Sequence, residues 1–120
     1  DSGQRLLLNF GHTLGHAIET AENYQGHSHG EAVAIGMYQI TLISEEMGLT
    51  KAGIPARIRQ LLEKFGLPTF WQVKGHKEEL FKAISLDKKN FSNTLKVVLL
   101  KDIGESFIYD TDLGFFRRMA

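Results

Sequence analysis

Between Gly30 and Gly48 the chain carries Ala32, Val33, Ala34, Ile35, Met37, Ile40, Leu42, Ile43 and Met47, a segment apolar around much of a helical circumference. A helix that is apolar nearly all round has no face to offer water, so this one must lie at the centre of a core with other elements packed about it. The remaining elements must therefore be amphipathic and must surround it. A chain of 120 residues, 42% hydrophobic, has enough apolar material for one such core and needs no covalent staple. The same segment holds Gln39, Thr41 and Glu45, and no stretch approaches the roughly 18 apolar residues of a membrane-spanning helix.

The partners fit that pattern. Over residues 4–23, Leu7, Phe10, Leu14, Ile18 and Ala21 recur at about 100° per residue and predict an amphipathic helix, with Arg5, Asn9, His12 and His16 opposite. Thr50 is placed to cap a third helix through Ile54, Ile58, Leu61, Leu62 and Phe65, with Pro55 in its first turn and Gly66 closing it. Residues 77–87 repeat the helical period, and Asp87-Lys88-Lys89-Asn90 reads as a polar turn. Leu95–Leu100 and Ser106–Tyr109 are β-rich and predict a small hairpin, with a short helix over 112–119. The expected class is mainly α, a single helical domain with a minor β-hairpin.

Charge narrows the function. The 14 basic and 14 acidic side chains cancel, which removes the general attraction that nucleic-acid and anionic-membrane binders depend on. There is no cysteine, so a disulfide, a thiolate nucleophile or a Cys-based metal site is excluded, and any metal must be held by His, Asp or Glu. A cytoplasmic location suits that composition. Residues 1–50 hold one basic and six acidic side chains, while 51–120 hold thirteen and eight. His12, His16, His27 and His29 all fall in the acidic half. The start at Asp1, with neither a methionine nor a signal-like segment, reads as an internal cut in a longer sequence.

The polar stripe Arg5, Asn9, His12 and His16 steps by four, three and four, so one helix face would present two imidazoles, a guanidinium and an amide to one ligand. Solvated faces normally use Lys and Glu instead. His12 and His16 have a spacing at which two helical imidazoles can share a metal, and His29 could return to the same place if the first two helices pack antiparallel. Glu31 is a candidate to orient a ligating imidazole through its second nitrogen. His27 and His76 read as ordinary surface histidines. Gly11 and Gly15, costly inside a helix, mark close approach of another backbone or of a ligand, and Gly36 can do the same in the second helix.

Arg5-x-x-x-Asn9-Phe10-Gly11-His12-Thr13-x-Gly15-His16-Ala17-Ile18-Glu19, followed by His29-Gly30-Glu31-Ala32-Val33-Ala34-x-Gly36-Met37, resembles the C-terminal domain of 3-dehydroquinate synthases. The resemblance extends through Asp87–Asn90 and Val97–Gly104 and so spans nearly the whole chain. It implies an enzyme of the shikimate pathway, leading to chorismate and the aromatic amino acids. Such a lyase uses NAD and a divalent metal, normally zinc, to convert 3-deoxy-D-arabino-heptulosonate 7-phosphate into 3-dehydroquinate and phosphate. By the same resemblance the partners are this sugar phosphate and an N-terminal NAD-binding domain of the same protein, with the intact enzyme a homodimer. The metal ligands would be His12 and His29, joined by a glutamate of the N-terminal domain. His16, paired with His12 on spacing alone, would instead stand on the substrate side near the phosphate, with Asn9 and Lys89 or Lys88. Arg5 would bind the substrate through its planar fork. Asp1 stands where the family carries an acid, four residues before the arginine. This chain alone would then bind NAD poorly and turn nothing over. The alternatives are another sugar-phosphate cyclase of the same fold, such as one resembling 2-deoxy-scyllo-inosose synthase, a metal-dependent polyol or alcohol dehydrogenase, or a stand-alone helical interaction domain.

Overall fold

The computed structural model describes residues 10–71, 76–91 and 95–119, apart from the side chains of residues 86–91 and 95–96. Helix α1 covers His12–Ala21, α2 His29–Glu46, α3 Ile54–Lys64 and α4 Lys77–Phe91. Strands β1 (Leu95–Asp102) and β2 (Glu105–Thr111) follow, then the single turn α5 (Leu113–Phe116). The architecture is mainly helical with one small antiparallel hairpin, as the periodicities predict. None of the described helices is long and apolar enough to cross a membrane.

Helix α2 is the central element. It packs against α1, α3, α5 and β1, and its Ala32, Ala34, Ile35, Ile40 and Ile43 are buried in one core with Leu14, Ile18, Ile58, Leu80, Ile84, Leu99 and Phe116. Gly15 lets α1 reach it: a Cβ there would stand 3.0 Å from Val33 Cα and 3.1 Å from the Ala32 carbonyl oxygen. The nearest part of α2 moves from Met37 at Gly11 back to Ala32 at Gly15, so the two helices run in opposite directions as expected. These glycines serve helix packing, by letting two backbones touch.

Four boundaries differ from the sequence reading. The first helix does not run continuously over 4–23. Gly11 sits at φ +79° as the N-cap, which no helical turn accommodates, so α1 begins at His12. Arg5 and Asn9, the first two members of the proposed stripe, lie outside the described residues. Thr50 does not cap α3. Gly53 takes that position, while the buried Thr50 hydroxyl lies against Ser44 Oγ and the Leu100 carbonyl oxygen, tying the α2–α3 connection to β1. Asp87–Asn90 is not a turn. With no Gly or Pro to stop it, α4 continues through Phe91, so Lys88 and Lys89 fall in its last turn, where basic residues suit the negative end of the helix dipole. The C-terminal helix is a single turn, capped by Asp112 accepting from the Gly114 N–H at 2.9 Å.

Elsewhere the local signals hold. Pro55 lies in the first turn of α3. Gly66 at φ +74° ends the helix in a Schellman arrangement, its N–H donating to Glu63 O and that of Leu67 to Leu62 O. The hairpin pairs Val98 with Ile108 and Leu99 with Phe107. Residues 97–100 are all buried, so β1 is covered on both faces, and β2 forms the exposed edge.

Candidate functional site

The site is built where two helices start. His12 is the first residue of α1 after the left-handed Gly11, and His29 the first of α2 after Ser28. Ser28 forms a capping box: its hydroxyl accepts from the Glu31 N–H at 3.2 Å, and Glu31 Oε1 accepts from the Ser28 N–H at 2.9 Å. The Ser28 backbone N–H, then its hydroxyl, hold the Glu31 carboxyl below its ordinary range. Glu31 is thereby committed to the cap, and the expectation that it orients an imidazole is not met.

Glu19 makes that contact instead. Its Oε1 lies 2.9 Å from His29 Nδ1. The His29 ring also lies 5.5 Å from the ring of His12, centroid to centroid, at an interplanar angle of 61°. Two imidazoles bonded through nitrogen to one tetrahedral ion at about 2.0–2.1 Å have centroids roughly 5 Å apart, so the pair fits a shared divalent metal. Among the described residues no group of three or more His, Asp or Glu could hold a metal ion. Within the described residues this pair does not by itself make up a metal site.

His16 follows on the same helix. One turn after His12 and exposed, its ring lies 6.5 Å from Tyr24. Tyr24 follows Asn23, and both are left-handed, at φ +59° and +54°. Such backbone is uncommon outside glycine and costs most for a bulky residue. It is held because Tyr24 N–H donates to Glu19 O and Asn23 N–H to Thr20 O, which closes the end of α1. The side chains of Lys88 and Lys89 lie outside the described set.

Residues 22–28 connect α1 to His29, and Glu22 fixes them. Its carboxylate accepts from the His27 N–H, from His27 Nδ1 and from Trp71 Nε1, each at 2.9 Å. Partial burial pushes the Glu22 carboxyl up, but the hydrogen bonds from His27 and Trp71 outweigh it and leave it lowered. His27 and His76 are thus not loose surface histidines: the first is bonded to Glu22 and the second lies 5.4 Å from the Trp71 ring. Sequence reasoning missed Glu19, Glu22 and Tyr24. Only Glu19 left a usable signal, being seven residues past His12 and hence on the same side of α1.

With this geometry in place, the profile of the 3-dehydroquinate synthase C-terminal family matches residues 1–90. The chain belongs to that family. It is 53% identical over 116 residues to a 3-dehydroquinate synthase of Clostridium beijerinckii, and 56% identical over 118 residues to one of Clostridium perfringens. In both cases 97% of this chain is covered but 33% of the relative, so the chain spans about a third of the length of the curated relatives it matches. A crystal structure of 2-deoxy-scyllo-inosose synthase, complexed with carbaglucose-6-phosphate, NAD+ and Co2+, superposes with a TM-score of 0.76 at 27% identity. It covers 93% of this chain and 32% of that one. The 3-dehydroquinate synthase C-terminal fold is thus shared with a second sugar-phosphate cyclase.

Proposed function

We propose that this chain is the metal- and substrate-binding domain of a 3-dehydroquinate synthase of the shikimate pathway, working in the cytoplasm with an N-terminal NAD-binding domain of the same protein. The overall reaction converts 3-deoxy-D-arabino-heptulosonate 7-phosphate into 3-dehydroquinate and phosphate. The observation that carries the reading is the approach of His12 and His29, at 5.5 Å, on the two helices whose sequences match the family.

In this reading His12 and His29 supply two ligands to a divalent metal, zinc by expectation, and the N-terminal domain supplies a glutamate. When bound, that metal polarises the substrate alcohol that NAD transiently oxidises. The residues of this chain then divide the rest of the substrate. Arg5 takes the carboxylate, its planar fork matching both oxygens. His16 and Asn9, with Lys89 or Lys88 from the end of α4, hold the phosphate. The exposure of His12, His16 and His29 leaves all three accessible to a second domain and a ligand. Homodimer formation by the full-length protein belongs to the same proposal and is checked by light scattering.

The test uses the full-length enzyme. His12→Ala and His29→Ala should abolish metal retention. His16→Ala should keep the metal but lose phosphate release by at least the hundredfold typical of a missing acid-base group. Normal phosphate release by either ligand variant, or metal loss in His16→Ala, would refute the division of roles. The likeness to 2-deoxy-scyllo-inosose synthase supports a second reading, a cyclase for another sugar phosphate. Assaying glucose 6-phosphate beside the heptulosonate phosphate separates the two.

A further inference from the structure

We infer that Glu19 is a positioning residue that fixes the tautomer and orientation of His29; the inference rests on His29 being a metal ligand. Glu19 is buried, at 8% exposure, on a helix whose other buried residues are Leu14, Gly15, Ala17, Ile18 and Ala21. A carboxylate withdrawn from water in such company is costly unless it is hydrogen-bonded. Its bond is to His29 Nδ1, at 2.9 Å, and the side chain of His29 is 63% exposed. The buried partner is thus the anchor and the exposed imidazole is the group being held.

The chemistry of the bond sets the tautomer. A carboxylate oxygen accepts, so Nδ1 carries the proton and Nε2 keeps its lone pair. His29 begins α2 with its side chain 63% exposed, and Glu31, the nearest acid in sequence, is occupied in the capping box with Ser28. Without Glu19 the ring samples other rotamers and both neutral tautomers, and only part of that population presents Nε2 beside His12. Because α1 supplies both His12 and Glu19, the crossing of α1 and α2 sets the second ligand against the first. A carboxylate bonded to the far nitrogen of a ligating imidazole commonly contributes 10–100-fold to metal affinity.

The decisive experiment measures Zn2+ affinity of the full-length protein by competition with a chromophoric chelator, alongside 15N NMR of the metal-free protein labelled at histidine. The expected results are a single Nδ1–H tautomer for His29 in the unsubstituted protein, a roughly 10–100-fold weaker Zn2+ affinity in Glu19→Ala, and a smaller loss in Glu19→Gln, whose amide oxygen still accepts from Nδ1. A merely structural role for Glu19 would not set the tautomer. An Nε2–H tautomer in the unsubstituted protein overturns the inference without recourse to any variant. So does unchanged Zn2+ affinity in a folded Glu19→Ala protein while His12→Ala loses its metal, an outcome that leaves the ligand reading standing. If His12→Ala and His29→Ala both retain Zn2+ unchanged, the ligand reading fails and the inference falls with it.

Discussion

Replacing Gly36 with alanine tests whether backbone contact between α1 and α2 sets the site. A Cβ at Gly36 would stand 2.4 Å from the Gly11 carbonyl oxygen and 3.0 Å from the Gly15 nitrogen, where ordinary contact begins at 3.4 Å. Both neighbours are backbone, so no side chain can rotate away, and α1 must shift by about 1 Å to make room. Overpacking of this kind costs roughly 1–3 kcal/mol, and the rigid neighbours argue for the upper end. Alanine returns up to about 1 kcal/mol through helix propensity, which leaves a net loss of about 2 kcal/mol. Gly15→Ala meets Val33 Cα at 3.0 Å and Ala32 O at 3.1 Å, needs a smaller shift and should lose less than about 1 kcal/mol. Gly30→Ala meets nothing within 4 Å and should gain up to about 1 kcal/mol. Urea denaturation of the three variants reads these differences. With a slope near 2 kcal/mol per molar, the Gly36→Ala midpoint should fall by about 1 M. A Gly36→Ala protein as stable as the parent, or less affected than Gly15→Ala, would show that the two helices are not in backbone contact. The same shift should disturb the His29–Glu19 bond, which the 15N spectrum of His29 would register.

Two further predictions concern the segment that delivers His29. Ser28→Ala removes the hydroxyl of the capping box and should cost about 1 kcal/mol, with faster amide exchange at Glu31, whose N–H loses its acceptor. Glu22 has a folded-state pKa lowered below 4.5, so its contribution is complete above the unfolded value and is lost as pH falls through the folded one. The fluorescence of Trp71, the one tryptophan of the chain, should therefore change on acidification below about pH 4.5, and Glu22→Gln should flatten that response. An identical acid transition in the variant would remove Glu22 from the account.

How much was legible depended on how local each signal was. Pro55 and Gly66 bounded α3 from within a few residues, because each acts on its own backbone torsions. The all-round apolar character of Gly30–Gly48 placed α2 at the centre, since such a helix has nowhere else to go. The spacing of His12 and His16 offered a metal pair. It was the resemblance to the 3-dehydroquinate synthases that pointed to His12 and His29, the two rings the fold brings together.

The sequence by itself determined the helical class, the hairpin and the residue types of the site, because periodicity, turn chemistry and composition are properties of short stretches of chain. The tertiary structure alone decided that α1 begins after Gly11, whose left-handed backbone lies tight against Val33 and Met37 of α2 and was concealed by its place in a helical pattern. It also decided that Glu19, not Glu31, holds His29. Both carboxylates are equally available in the sequence, and which one reaches the imidazole depends on the capping box that occupies Glu31 and on the crossing that buries Glu19 beside the start of α2. A side chain ten residues away is selected by packing, and packing is not a local property.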